Sequence, residues 1–306
     1  MVKSTSLDLP WTESLGEQLS ASSLPCGFLV TGNQGLGKLQ SVYQAVQKIL
    51  DIDTCSQHPD VLLVTPANQY IGIDEIRQVQ NFAQLTPTRS AMKAIIINEC
   101  HRLTLAAANA LLKSLEEPSE DTIFWLITDA PYSVPATIRS RCRWIKIPTP
   151  PTEQAVHWLQ TENVDQPEFW LHLAYGAPLH AKALASNEDN RHFVRTAAQH
   201  FTQWLQNQLP STALAKQLWA QPQLGALLLL AFSEDALRTH QGQEGRVRFK
   251  KIATRLLQKN NDFSQHWQYM VHWRAFYQTV KLRPEQSSLL QLESGLINWA
   301  RCIEGT

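Results

Sequence analysis

Five short, β-rich apolar runs fill the first half of this chain, with helical patterns between them. The runs are Gly27–Thr31, Val61–Thr65, Ala94–Asn98, Ile123–Thr128 and Trp144–Ile147. They do not alternate, which suits strands covered on both faces. Helical pattern covers residues 40–50. Asp74 offers an N-cap to a helix carrying Ile76, Val79 and Phe82. Thr104 offers one to a helix carrying Leu105, Ala108, Leu112 and Leu115, with Pro118 as its stop. Strands alternating with helices predict an α/β domain with a mainly parallel sheet.

Pro148-Thr149-Pro150-Pro151 continues neither strand nor helix, so the domain boundary is placed there. Residues beyond it carry helical pattern only. Residues 149–188 read as a small helical unit and 189–306 as a longer one, with Trp204, Trp219, Trp267, Trp273 and Trp299 as packing anchors.

Composition excludes several classes. The 306 residues are 43% hydrophobic and 18% charged, too apolar for disorder. Net charge is zero, so no global field drives the chain onto nucleic acid or an anionic membrane. The apolar run Leu224–Phe232 is too short to span a bilayer. The start, Met1 to Thr5, lacks the apolar core of a signal peptide. Cys26, Cys55, Cys100, Cys142 and Cys302 form no CxxC pair and read as reduced cytoplasmic thiols, without zinc.

Gly32-Asn33-Gln34-Gly35-Leu36-Gly37-Lys38 follows a strand and precedes a helix, the context of a phosphate loop. Its glycines let backbone N–H groups approach phosphate, and Lys38 would neutralise it. Leu39 follows, where a hydroxyl should ligate magnesium. Ser41 lies about 200° around the helix and cannot replace it. The third run ends Asn98-Glu99, where an Asp is expected first. Nucleotide hydrolysis at this loop is therefore not expected, while binding of ATP or ADP stays open.

Ile71-Gly72-Ile73-Asp74-Glu75-Ile76-Arg77, the string Asn109 to Pro118 (Asn-Ala-Leu-Leu-Lys-Ser-Leu-Glu-Glu-Pro) and Ser140-Arg141-Cys142 resemble the signatures of bacterial clamp-loader subunits. The resemblance covers about residues 8–150. It implies an AAA+ fold: a RecA-like core over 1–148, a helical lid over 149–188 and an all-α collar over 189–306. Leu39, Asn98 and Leu179, the last standing where a sensor-2 arginine belongs, depart from the ATP-hydrolysing gamma and tau type. The retained Ser140-Arg141-Cys142 favours the delta-prime type, in which Arg141 acts in trans as an arginine finger on a neighbour's ATP.

The same resemblance places Gly32, Gly35, Gly37, Lys38, Glu99 and Thr128 in a degenerate nucleotide site, with Thr128 at the sensor-1 position. It implies gamma/tau motor subunits and a delta subunit as partners, and the sliding clamp and primed DNA through the assembly. No membrane is involved and no cofactor is required. The nucleotidyltransferase activity belongs to the polymerase assembly. A gamma/tau-like motor and an unrelated AAA+ adaptor remain the rivals. The zinc module inserted in many relatives is missing, since residues 49–60 pass straight to His58-Pro59-Asp60.

Other residues read as structural. Arg139 and Arg143 flank Arg141 as solvated or gripping groups. Arg77 reads as structural or interfacial. Asn109, Lys113, Glu116 and Glu117 read as an ion-paired helix face. Arg246, Arg248, Lys250, Lys251 and Arg255 read as a solvated basic face.

Overall fold

The computed structural model describes residues 9–11, 27–66, 69–117, 119–243, 245 and 247–304. Cys26, Pro118 and Arg246 lie outside the described residues. The described chain forms two compact units. One runs to Gln154 and includes Ala177–His180; the other comprises Ala155–Gly176 and Ala181 onward.

The first unit is built on strands β1 (Gly27–Thr31), β2 (Val61–Val64), β3 (Lys93–Ile97), β4 (Thr122–Thr128) and β5 (Arg143–Lys146). All pairings are parallel, in the order β2-β3-β4-β1-β5. Within each central strand successive residues serve opposite faces. Phe28, Val30, Ile96 and Trp125 join one core with Val42, Val46 and Leu50 of helix α1 (Lys38–Leu50). Leu29, Ile95, Ile97, Phe124 and Leu126 join the other. Helices α2 (Ile73–Gln84) and α3 (Leu105–Glu116) cover that second face with Ile76, Val79, Leu111 and Leu115. The edge strands depart from the two-sided expectation, since Leu63 is 40% and Trp144 43% exposed.

Thr104 caps α3, accepting from the Ala107 N–H at 3.2 Å. The predicted Asp74 cap does not form. Helix α2 begins two residues earlier, with Gly72 at the N-cap, and the Glu75 carboxylate reaches back to accept from the Gly72 N–H at 3.0 Å. Asp74 instead pairs with Arg77 at 2.8 Å on the surface. A short helix, α4 (Ala136–Arg139), leads from β4 toward β5.

Among the described residues nine further α-helices follow: α5 (Thr152–Thr161), α6 (Pro167–Leu173), α7 (Pro178–Ser186), α8 (Glu188–Leu205), α9 (Ser211–Leu218), α10 (Pro222–His240), α11 (Lys250–Lys259), α12 (Phe263–Leu282) and α13 (Leu289–Glu304). Among the described residues no helix is long and apolar enough to cross a membrane. Residues 224–237 of α10 are all buried, making it the central rod of the second unit. Its Phe232 joins an aromatic cluster with Phe201, Trp204, Trp273 and Trp299, with contacting ring centroids 4.4 to 5.8 Å apart. Trp267 is no anchor; it is 52% exposed.

Glu234 and Asp235, buried on α10, are met by Arg248 at 2.9 and 3.0 Å, and the Arg248 side chain is fully enclosed. Arg248 therefore does not belong to a solvated face, because two buried carboxylates require a cation among them.

Candidate functional site: a closed phosphate loop and a surface arginine

The loop after β1 sits at the carboxyl end of a strand flanked on both sides by strands distant in sequence. This is where open α/β sheets bind ligands. Gly35 and Gly37 have φ of +80° and +82°, which a side chain rarely tolerates. The local conformation is thus that of an anion cradle.

Its surroundings have filled it. Lys38 Nζ turns back onto the loop's own carbonyls, donating to Gly32 O at 3.0 Å and Asn33 O at 2.7 Å. Leu9, 1% exposed, lies so close to Gly37 that an added Cβ would sit 2.2 Å from its methyl. Trp11 donates its indole N–H to Leu36 O at 2.9 Å. From the other side the Leu179 N–H donates to Gly35 O at 3.0 Å, and His180 covers Gly35.

Leu39, where a metal-ligating hydroxyl belongs, packs onto the apolar core. The neighbouring acid is also committed. Glu99 adopts φ 55° and pairs with Arg102 at 2.7 Å. Thr128, buried at the end of β4, lies 3.1 Å from His101 Nδ1 and accepts from the Ala130 N–H at 3.0 Å. Mg·ATP does not fit this donor set: no side-chain oxygen follows Lys38, and the retained acid is engaged elsewhere.

Arg141 behaves differently. It follows α4 at the entry to β5, and its guanidinium remains 36% exposed. Nη1 donates to Thr137 O at 2.8 Å and to Ser140 Oγ at 3.4 Å, while Nη2 meets Glu116 Oε1 at 2.6 Å. Ser140 Oγ itself donates to Thr137 O, tightening the same turn. Cys142 turns inward to the core, which fixes the alternation that sends Arg141 outward. Arg139 lies over the Tyr132 ring at 5.6 Å, and its carbonyl accepts from the Trp144 indole at 3.1 Å. Tyr132 is 84% exposed.

The structure brings Gly32, Gly35, Gly37 and Lys38 together but turns Lys38 inward. It commits Glu99 and Thr128 to protein partners and leaves Arg141 on the surface. Residue-pattern reasoning missed Leu9, Trp11 and His101. It also expected Glu116 to belong to an ion-paired face of its own helix, whereas Glu116 pairs with Arg141 across 25 residues of chain.

A family profile described as DNA polymerase III, delta subunit, matches residues 10–151. DNA polymerase III subunit delta' of Pseudomonas aeruginosa is 31% identical over 198 residues, 57% of this chain and 60% of that protein. Over about half of its length the chain is similar to DNA polymerase III delta-prime proteins. The delta-prime protein of Haemophilus influenzae is 33% identical over 55% of the chain and 58% of its own length. The chain thus aligns with under two thirds of the delta-prime relatives it matches. Subunit tau of Bacillus subtilis is 44% identical, over 28% of this chain and 15% of that protein. A solved gamma-subunit-related protein from Thermotoga maritima shares the fold at a TM-score of 0.51 and 19% identity, covering 96% of this chain and 99% of its own. The architecture shared with that protein is a parallel α/β core followed by helices.

Proposed function

We propose that this chain is a non-hydrolysing delta-prime subunit that completes a clamp-loader ring and lends Arg141 to the ATP site of an adjacent motor subunit. In this reading residues 1–148 act as the AAA+ core, 149–188 as the lid and 189–306 as the collar. Its partners are gamma/tau motor subunits and a delta subunit in the cytoplasm. Through the assembly it supports loading of the sliding clamp onto primed DNA. It requires no cofactor and no zinc of its own.

The observation that carries the reading is a contrast between two cations. Lys38 is folded onto its own loop, and Arg141 is held outward by a carboxylate at the surface. A guanidinium presented in this way can meet charge developing on a neighbour's phosphate oxygens, an effect worth about 10³ to 10⁵ in rate. The exposed Tyr132 and Trp144 near it, with the half-buried Arg139, have the composition of an interface hot spot.

The test is a loader reconstituted with motor and delta subunits and Arg141→Ala in this chain. Hydrolysis at the adjoining site should fall about 10³-fold or more with assembly intact; unchanged hydrolysis refutes the reading. The tau similarity supports a second reading, a gamma/tau-like motor. Turnover of Mg·ATP by the pure chain, abolished by Lys38→Ala, would establish that alternative instead.

A further inference from the structure

The second unit carries a basic groove of about 960 Å³ that the clamp-loader reading does not use. One wall is α8, which contributes Arg191 and Arg195, one helical turn apart. The other is the start of α11, with Lys250, Lys251 and Arg255. Asp165 is the acidic side chain among its described lining residues. Among the described residues no carboxylate pairs with Arg195, Lys250, Lys251 or Arg255. The chain as a whole has no net charge, so this concentration of cations is local.

The cations are held in place. Asp235, wholly buried, accepts from the backbone N–H groups of Arg248 and Phe249 at 2.8 Å each, fixing the start of α11. Lys250 and Lys251 then occupy the positive end of a helix whose first turn has no acidic residue. Cations are disfavoured there and anions favoured. An anionic ligand would relieve both walls.

The floor decides what kind of anion. It is apolar, formed by Val194, Ile252 and Phe169. The Phe169 ring packs edge-on against Phe249 at 5.4 Å and Trp170 at 5.1 Å, so the aromatic groups are committed to one another instead of forming an open stacking platform. Bases need such a platform, and phosphates gain nothing from an apolar floor. A peptide with carboxylates along its edges and aliphatic or aromatic anchors between them uses both features.

We propose that this groove is a docking site for an acidic, amphipathic segment of a partner protein. The proposal does not depend on the role of Arg141. It is tested on the full chain by fluorescence anisotropy with three labelled probes of equal charge: a peptide repeating two glutamates with one leucine or phenylalanine, an all-glutamate peptide, and oligothymidylate. The amphipathic peptide should bind tightest, and Arg195→Glu and Lys251→Glu should each weaken it about tenfold. Both side chains are exposed, so the thermal melt should not move. If a reversal lowers the melt, Arg195→Gln serves, with a smaller loss expected. Tighter binding of oligothymidylate overturns the proposal in favour of nucleic acid. Equal binding of the all-glutamate peptide removes the apolar floor from the argument and overturns it as well. So does the absence of binding, or binding that neither reversal nor neutralisation changes.

Discussion

Replacing Glu116 with Gln separates the tether on Arg141 from the chemistry proposed for it. The Glu116–Arg141 contact of 2.6 Å joins a carboxylate 47% exposed to a guanidinium 36% exposed. Pairs this wet contribute about 0.2–1 kcal/mol and weaken with salt. The finger itself is worth about 4–7 kcal/mol, the equivalent of about 10³ to 10⁵ in rate. Releasing the tether therefore costs a small fraction of what the finger returns. After Glu116→Gln the Arg141 bond to Thr137 O remains, so the side chain keeps one fixed contact. Hydrolysis by the reconstituted loader should change by no more than about fivefold, the factor that 1 kcal/mol allows. Rates measured across a salt series should also converge with wild type as salt rises, because screening already weakens the pair. A loss after Glu116→Gln as deep as that after Arg141→Ala would refute this reasoning. The carboxylate would then be part of the chemistry and not a surface tether.

Other perturbations probe the rest of the structure. Leu39→Thr should not create tight binding of a fluorescent ATP analogue, since Lys38, Leu9 and Leu179 still close the loop; a tight complex would show that the missing hydroxyl alone disables it. Arg248→Met should destabilise the second unit by about 3–5 kcal/mol in denaturant unfolding, because it strips a fully buried cation from Glu234 and Asp235. A loss below 1 kcal/mol would mean that Arg238 and Arg274 suffice for both carboxylates. Burial would raise the Asp60 pKa, but N–H bonds from Thr88, Arg89 and Ser90, together with His58, hold it below the ordinary value. Its stabilisation is present above the unfolded value of about 3.9 and is lost as pH falls through the lower folded value. Asp60→Asn should flatten that acid slope, and an unchanged slope would assign it to other carboxylates.

Much of the first unit was legible because local rules and tertiary demands agree there. The five apolar runs all became strands, and Thr104 caps its helix. Where they disagree, tertiary structure prevails. Lys93 opens the third strand one residue before the apolar run begins, although a lysine is costly to bury. It is 1% exposed, and its ammonium donates to the carbonyls of Phe82, Ala83 and Leu85 at the end of α2. The i,i+4 rule points Glu117 to Lys113, yet the carboxylate that finds a distant partner is Glu116, aimed at Arg141. The closure of the phosphate loop by Leu9 and Trp11 has no periodic signal, since two apolar residues near the start of a chain predict nothing about where they land. Arg248 was misread because a run of basic residues looks alike whether or not one member serves two acids within an apolar helix.

The path of the chain near Ala177–His180 has a practical consequence. Sequence alone recommends cutting at the prolines after Ile147 to isolate the first unit. The backbone passes that point, leaves for 22 residues at Ala155–Gly176, and returns for the tetrapeptide that shelters Gly35 before departing again. A fragment ending at the prolines would keep its sheet but surrender the roof over its own glycines. An isolated piece that acquired affinity for nucleotide would thus report on the scissors and not on the intact polypeptide.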